Sequence, residues 1–92
     1  MTTAARLSIK GRVQGVGYRA WTMREAARWK LRGWVRNCQD GSVEALLIGE
    51  EADVAAMAEA CRTGPRLARV DAVRRDSAND DGTPGFREFP TG

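Results

Sequence analysis

Hydrophobic and polar positions alternate from the start of the chain. Leu7, Ile9 and Val13 interleave with Arg6, Ser8, Lys10 and Arg12, and Gly11 keeps the phase. A period of two predicts a strand over about 6–13 with one buried face. Met1–Ala5 carries no such pattern and is expected to fray. The spacing then changes: Tyr18, Thr22, Ala26 and Trp29 lie on one stripe of a helix over about 18–29. Alternation returns over 32–38, with Gly33, Val35 and Asn37 on one face and Trp34, Arg36 and Cys38 on the other. Gln39-Asp40-Gly41 is a turn, and Asp-Gly is a strong hairpin signal. A third strand over 42–48 turns Val43, Ala45 and Leu47 inward. Leu46 and Ile48 face the other side, so Trp34, the C-terminal segment or a partner chain has to cover them. Val54, Met57, Ala58 and Cys61 recur at i, i+3, i+4 and i+7 in a second helix over 51–62, which Gly64-Pro65 stops. Ala68, Val70 and Val73 break strict alternation in a fourth strand over 67–75, which predicts a bulge. Asp76–Gly85 reads as an exposed loop, and Phe86 and Phe89 as a short final strand that docks.

The order βαββαβ, with a small tail, is the split-βαβ or ferredoxin-like arrangement: an α+β fold with two helices on one face of an antiparallel sheet. In that topology the first two strands run parallel with the third between them. Their carboxyl ends share one edge of the sheet, roughly 10 Å apart at about 4.8 Å per strand spacing. Gly15 and Gly17 form a loop between strand one and helix one. Glycines let backbone N–H groups converge on an anion, and the helix start adds free donors and positive dipole. Arg19 stands at the wrong end of that dipole. The placement makes sense where its guanidinium grips a bound anion, although a tight loop with a solvated arginine gives the same pattern. Neither G-x-G-x-x-G nor G-x-x-x-x-G-K-[ST] is present.

Gly11-Arg12-Val13-Gln14-Gly15-Val16-Gly17-Tyr18-Arg19 resembles the first signature of the acylphosphatases. Gly33-Trp34-Val35-Arg36-Asn37, followed by Asp40-Gly41-Ser42-Val43, resembles the second. The likeness runs from about Leu7 to Val73, thins after Gly49, and returns at Phe86–Phe89. The resemblance implies the ferredoxin-like fold and hydrolysis of small acyl phosphates to a carboxylate and inorganic phosphate. It implies that the 14–19 loop (Gln14, Gly15, Val16, Gly17, Tyr18 and Arg19) binds the phosphate. Arg19 and Asn37 become the catalytic pair, Asn37 orienting the attacking water. No cofactor or metal is implied. The family has Gly at the position of Lys30, where a left-handed C-cap fits.

Composition narrows the chemistry further. The 92 residues suggest one domain. Fifteen basic and 12 acidic residues give a net charge of +3, which suits small anionic ligands and is too weak to argue for nucleic acid. The chain has no His, and its two cysteines, Cys38 and Cys61, give no zinc spacing. No C-x5-R arrangement of a cysteine phosphatase is present. Such a site suits a substrate whose leaving group departs unprotonated, as the carboxylate of an acyl phosphate does. A non-catalytic anion-binding module on the same fold stays open. An RNA-binding domain would need exposed aromatics on adjacent central strands, which the pattern does not offer. No membrane-length apolar run or signal core is seen, so a monomeric cytoplasmic protein without membrane or nucleic-acid partners is expected.

Overall fold

The computed structural model describes every residue from Met1 to Gly92. Seven elements follow one another: β1 (Thr2–Arg12), α1 (Tyr18–Arg28), β2 (Arg32–Asn37), β3 (Val43–Glu50), α2 (Glu51–Cys61), β4 (Arg69–Ser77) and β5 (Phe86–Glu88). The sheet order is β4-β1-β3-β2-β5. The first four strands pair antiparallel, as the ferredoxin-like order predicts. β5 instead joins β2 in parallel, so the sheet is mixed and not wholly antiparallel.

One core lies between the sheet and both helices. Leu7, Ile9, Val35, Val43, Ala45 and Leu47 from the strands meet Tyr18, Ala26, Val54, Met57 and Cys61 from the helices. The thiol of Cys61 is fully enclosed there, and burial pushes it up to about 12, so it is an inert core group. Neither cysteine is in a disulfide.

The expected frayed start is not observed. β1 begins at Thr2, and its ladder with β3 runs from Thr2 opposite Glu50 to Ile9 opposite Val43. β3 continues past Ile48 to Glu50 and supplies partners that the local pattern at Met1–Ala5 could not announce. Ala5 is fully buried. The expected bulge is found: Lys10 pairs with Ala72 and Gly11 with Val70, which leaves Asp71 as the extra residue.

The second face of β3 is covered by the chain itself. Leu46 and Ile48 are buried, and Trp34 stands opposite Leu46 in the β2–β3 ladder. Asp76 and Ser77, expected in the loop, belong to β4. The residues after Ser77 are tied down more firmly than their composition suggests. Arg32 grips Asp80 through two hydrogen bonds of 2.8 and 2.9 Å, and the Trp34 indole N–H donates to Asp81 at 3.1 Å. Phe89 stacks on Trp34, ring centroids 5.6 Å apart.

These ties have a pH consequence. The Arg32 guanidinium, helped by the Gly82 N–H, holds the Asp80 carboxyl at about 2. An unfolded Asp titrates near 3.9. A depressed carboxylate contributes stability that is fully present above the unfolded value and is lost as pH falls through the folded one. Asp40, Glu51 and Asp81 are shifted in the same direction, chiefly by hydrogen bonds from Ser42, Arg75 and Thr83. Stability should therefore drop between about pH 4 and pH 2, and Asp80→Asn should make that drop shallower. Urea midpoints measured across this range check it; equal slopes for both proteins would refute it.

The end of α1 confirms the left-handed cap. Lys30 has φ 56°, the only non-glycine residue with positive φ. The Lys30 N–H donates to the Ala27 carbonyl at 3.1 Å and the Leu31 N–H to the Ala26 carbonyl at 2.9 Å, the two bonds of a Schellman motif. Buried Leu31 completes it from the apolar side. Lysine bears a Cβ penalty in this conformation that glycine lacks. Lys30→Gly should raise unfolding stability by up to about 1 kcal/mol. A lower denaturation midpoint for the variant would contradict this.

Candidate active site

β1 and β2 run parallel on either side of β3, so the loop after Arg12 and the end of β2 at Asn37 meet at one edge of the sheet. A cavity of about 180 Å³ opens there. Gly15 and Gly17 from the loop, Tyr18, Arg19 and Ala20 from the start of α1, and Asn37 from β2 all line it. Topology thus joins two sequence segments that are 18 residues apart, from Arg19 to Asn37.

The local backbone explains the loop. Gly15 and Gly17 have φ of 73° and 80°, a region open to glycine at little cost. Gly17 is the N-cap of α1, and no side chain caps the helix. The first backbone bond at this end runs from the Trp21 N–H to the Gly17 carbonyl at 3.0 Å. The N–H groups of the preceding turn have no intrahelical acceptor, as at any helix start, and form a set of donors for an anion. The first turn has no acidic residue to complement the dipole; it has Arg19.

Not all of the 14–19 loop turns its side chains to the cavity. Gln14 points the other way: its amide donates to the carbonyls of Cys38 and Ser42, both at 2.8 Å. It ties the glycine loop to the β2–β3 hairpin and so couples the two halves of the site. Val16 packs against the core. Tyr18 is among the lining residues, but its side chain is buried and its hydroxyl donates to the Cys61 carbonyl at 2.6 Å. Burial pushes the phenol well above its ordinary range, which makes it a packing residue and no proton donor at neutral pH.

Besides the apolar Val13 and Ala20, one charged cavity residue escapes the sequence reading. Glu88 of β5 lines it, with a carboxylate oxygen 3.4 Å from Nη1 of Arg19. Phe86 and Phe89 alone are legible as a docking strand, and no cluster of carboxylates is expected near the loop. The period of two from Phe86, which packs on the core, could have placed Glu88 on the same face. The sequence does not show that β5 lies beside β2. Arg19 and Glu88 are the only charged side chains lining the cavity. Nowhere do three or more Cys, Asp or Glu side chains form a set able to hold a metal ion.

Comparison with known proteins matches this picture. The acylphosphatase family model covers residues 5–89. The chain belongs to the acylphosphatase family. It is therefore a hydrolase of acyl phosphates, with inorganic phosphate as a product. An acylphosphatase of Rhodopseudomonas palustris is 55% identical over 80 residues, 87% of this chain and 81% of its own length. One from Acidiphilium cryptum is 45% identical over 97% of this chain and 98% of its own. The crystal structure of the acylphosphatase from Bacillus subtilis superposes with a TM-score of 0.90 at 36% identity, covering 97% of this chain and 99% of that one. The mixed sheet with two helices is thus the fold of solved acylphosphatases.

Proposed function

We propose that Arg19 and the backbone N–H groups of Gly15 to Arg19 hold the phosphoryl group of a small acyl phosphate, and that Asn37 orients the attacking water. The observation that supports this is the single cavity lined by a helix N-terminus, one guanidinium and one side-chain amide. The fork of Arg19 suits a phosphate bidentately. An amide can donate to and accept from a water at once, so Asn37 can fix its orientation. The carboxylate leaving group departs without a proton, and a phosphate oxygen of the substrate can take the proton of the water. Phosphoryl transfer then requires mainly positioning and charge stabilisation. The 92 residues form one such domain in this reading.

The partners follow from the same features. Leu46 and Ile48 are buried within the single chain, Leu46 beside Trp34 and the 77–81 segment, which supports a monomer. Trp34 has Phe89 on one side and Arg36 above its ring at 5.2 Å. Both contacts compete with a nucleobase for the indole, which favours a small substrate over nucleic acid. No helix is long and apolar enough to cross a membrane, and a cytoplasmic site of action is the reading we favour.

Hydrolysis of acetyl phosphate in excess chelator tests the mechanism. Full activity is expected, together with competitive inhibition by inorganic phosphate. Activity lost in chelator and restored by a divalent ion would overturn it.

A further inference from the structure

Glu88 shares the cavity with Arg19, and no assigned role accounts for a carboxylate there. It comes from β5, which pairs in parallel with β2, with Val35 opposite Glu88. Both side chains are partly open to solvent, at 32% for Arg19 and 43% for Glu88. The contact is long, 3.4 Å to a guanidinium nitrogen, and no hydrogen bond accompanies it. A carboxylate built to hold a guanidinium rigidly makes two parallel bonds below 3 Å. Arg32 and Asp80 do so elsewhere in this chain. The Arg19–Glu88 pair is therefore loose and displaceable, as half-exposed ion pairs generally are.

We propose that Glu88 is an internal competitor for the substrate-binding guanidinium, and that it sets how tightly the enzyme holds phosphoryl groups. This rests on the reading of Arg19 as the phosphate grip. An entering phosphoryl group and Glu88 are both anions and draw on the same fork. A phosphoryl group has to displace the carboxylate or lie beside a like charge; either way its affinity is lowered. When product phosphate leaves, the carboxylate supplies Arg19 with a replacement anion at once. The enzyme thereby trades ground-state binding of substrate and product for faster release. Interactions that grip substrate and transition state equally lower KM and contribute nothing to kcat at saturation, so weakening them need not slow the reaction.

The test is inorganic phosphate affinity in Glu88→Gln and Glu88→Asp, measured by competitive inhibition of acetyl phosphate hydrolysis. Gln keeps the shape and removes the charge; Asp keeps the charge and withdraws it by one methylene. The phosphate inhibition constant and the KM should fall together, by about two- to fivefold in Glu88→Gln and by less in Glu88→Asp. The difference from wild type should shrink in high salt. Either variant decides the matter if the other fails to fold. An inhibition constant unchanged or raised in the folded variants would overturn the proposal, as would a fall in kcat with the inhibition constant unmoved, which marks a positioning role. Arg19→Gln run alongside separates the two levels. If it still binds phosphate as wild type does, the reading of Arg19 fails. If it loses phosphate while Glu88→Gln changes nothing, only the role of Glu88 fails.

Discussion

Arg19→Gln should lower kcat/KM for acetyl phosphate by about three orders of magnitude or more while leaving the fold intact. Loss of one neutral donor at a charge-stabilising site costs about 10²–10³-fold. Arg19 supplies several donors and the only positive charge in the cavity. The loss is enlarged by Glu88, whose carboxylate would stand beside the phosphoryl group with no cation between them. Nothing in the core depends on the guanidinium: Arg19 lies off the buried stripe of Tyr18, Thr22 and Ala26, and its one ion-pair partner is half-exposed. Unfolding should therefore stay within a few tenths of a kcal/mol of wild type. Arg19→Lys should recover little, because a point charge cannot reproduce a planar fork. Near-normal turnover in a folded Arg19→Gln protein, measured with phosphate inhibition, would remove Arg19 from the mechanism.

Asn37→Ala should show the opposite split. Asn37 closes β2, where it pairs with Val43, and its carbonyl accepts from the Gly92 N–H at 3.0 Å. The backbone that supports it does not depend on its side chain. Asn37 lines the cavity from the β2 side, across from the glycine loop, so phosphate should bind to Asn37→Ala within about threefold of wild type. A water held in line gains most in the transition state, so its loss should appear in kcat, by about 10²–10³-fold. Asn37→Asp should be worse than its shape suggests, because it adds a second carboxylate to a cavity that already holds Glu88. The paired measurement is kcat with the phosphate inhibition constant. If phosphate affinity collapses and kcat at saturation is unchanged, Asn37 is a binding residue and the water is held elsewhere.

The amino-acid sequence by itself determined what is local. Alternation at Leu7, Ile9 and Val13 and at Val43, Ala45 and Leu47 marks strands, because side chains of a strand point to opposite faces in turn. The stripe of Tyr18, Thr22 and Ala26 marks a helix for the same kind of reason. Gly15 and Gly17 mark the turn, because glycine adopts positive φ at little cost, and the resemblance marks Lys30 as strained, because it stands where the family has Gly. Family likeness over Gly11–Arg19 and Gly33–Asn37 then carried the chemistry. The tertiary structure decided what depends on partners distant in the chain. Thr2–Ala5 have side chains too small to carry a pattern and become a strand only because β3 extends to Glu50. The 78–85 segment looks like a free loop until Arg32 and Trp34 are placed opposite Asp80 and Asp81. Glu88 enters the site because β5 adds to β2 in parallel, and a three-residue strand has too few positions to announce its neighbour. Gln14 lies inside the glycine motif, yet the fold turns its amide to the hairpin carbonyls, which no spacing along the chain could indicate.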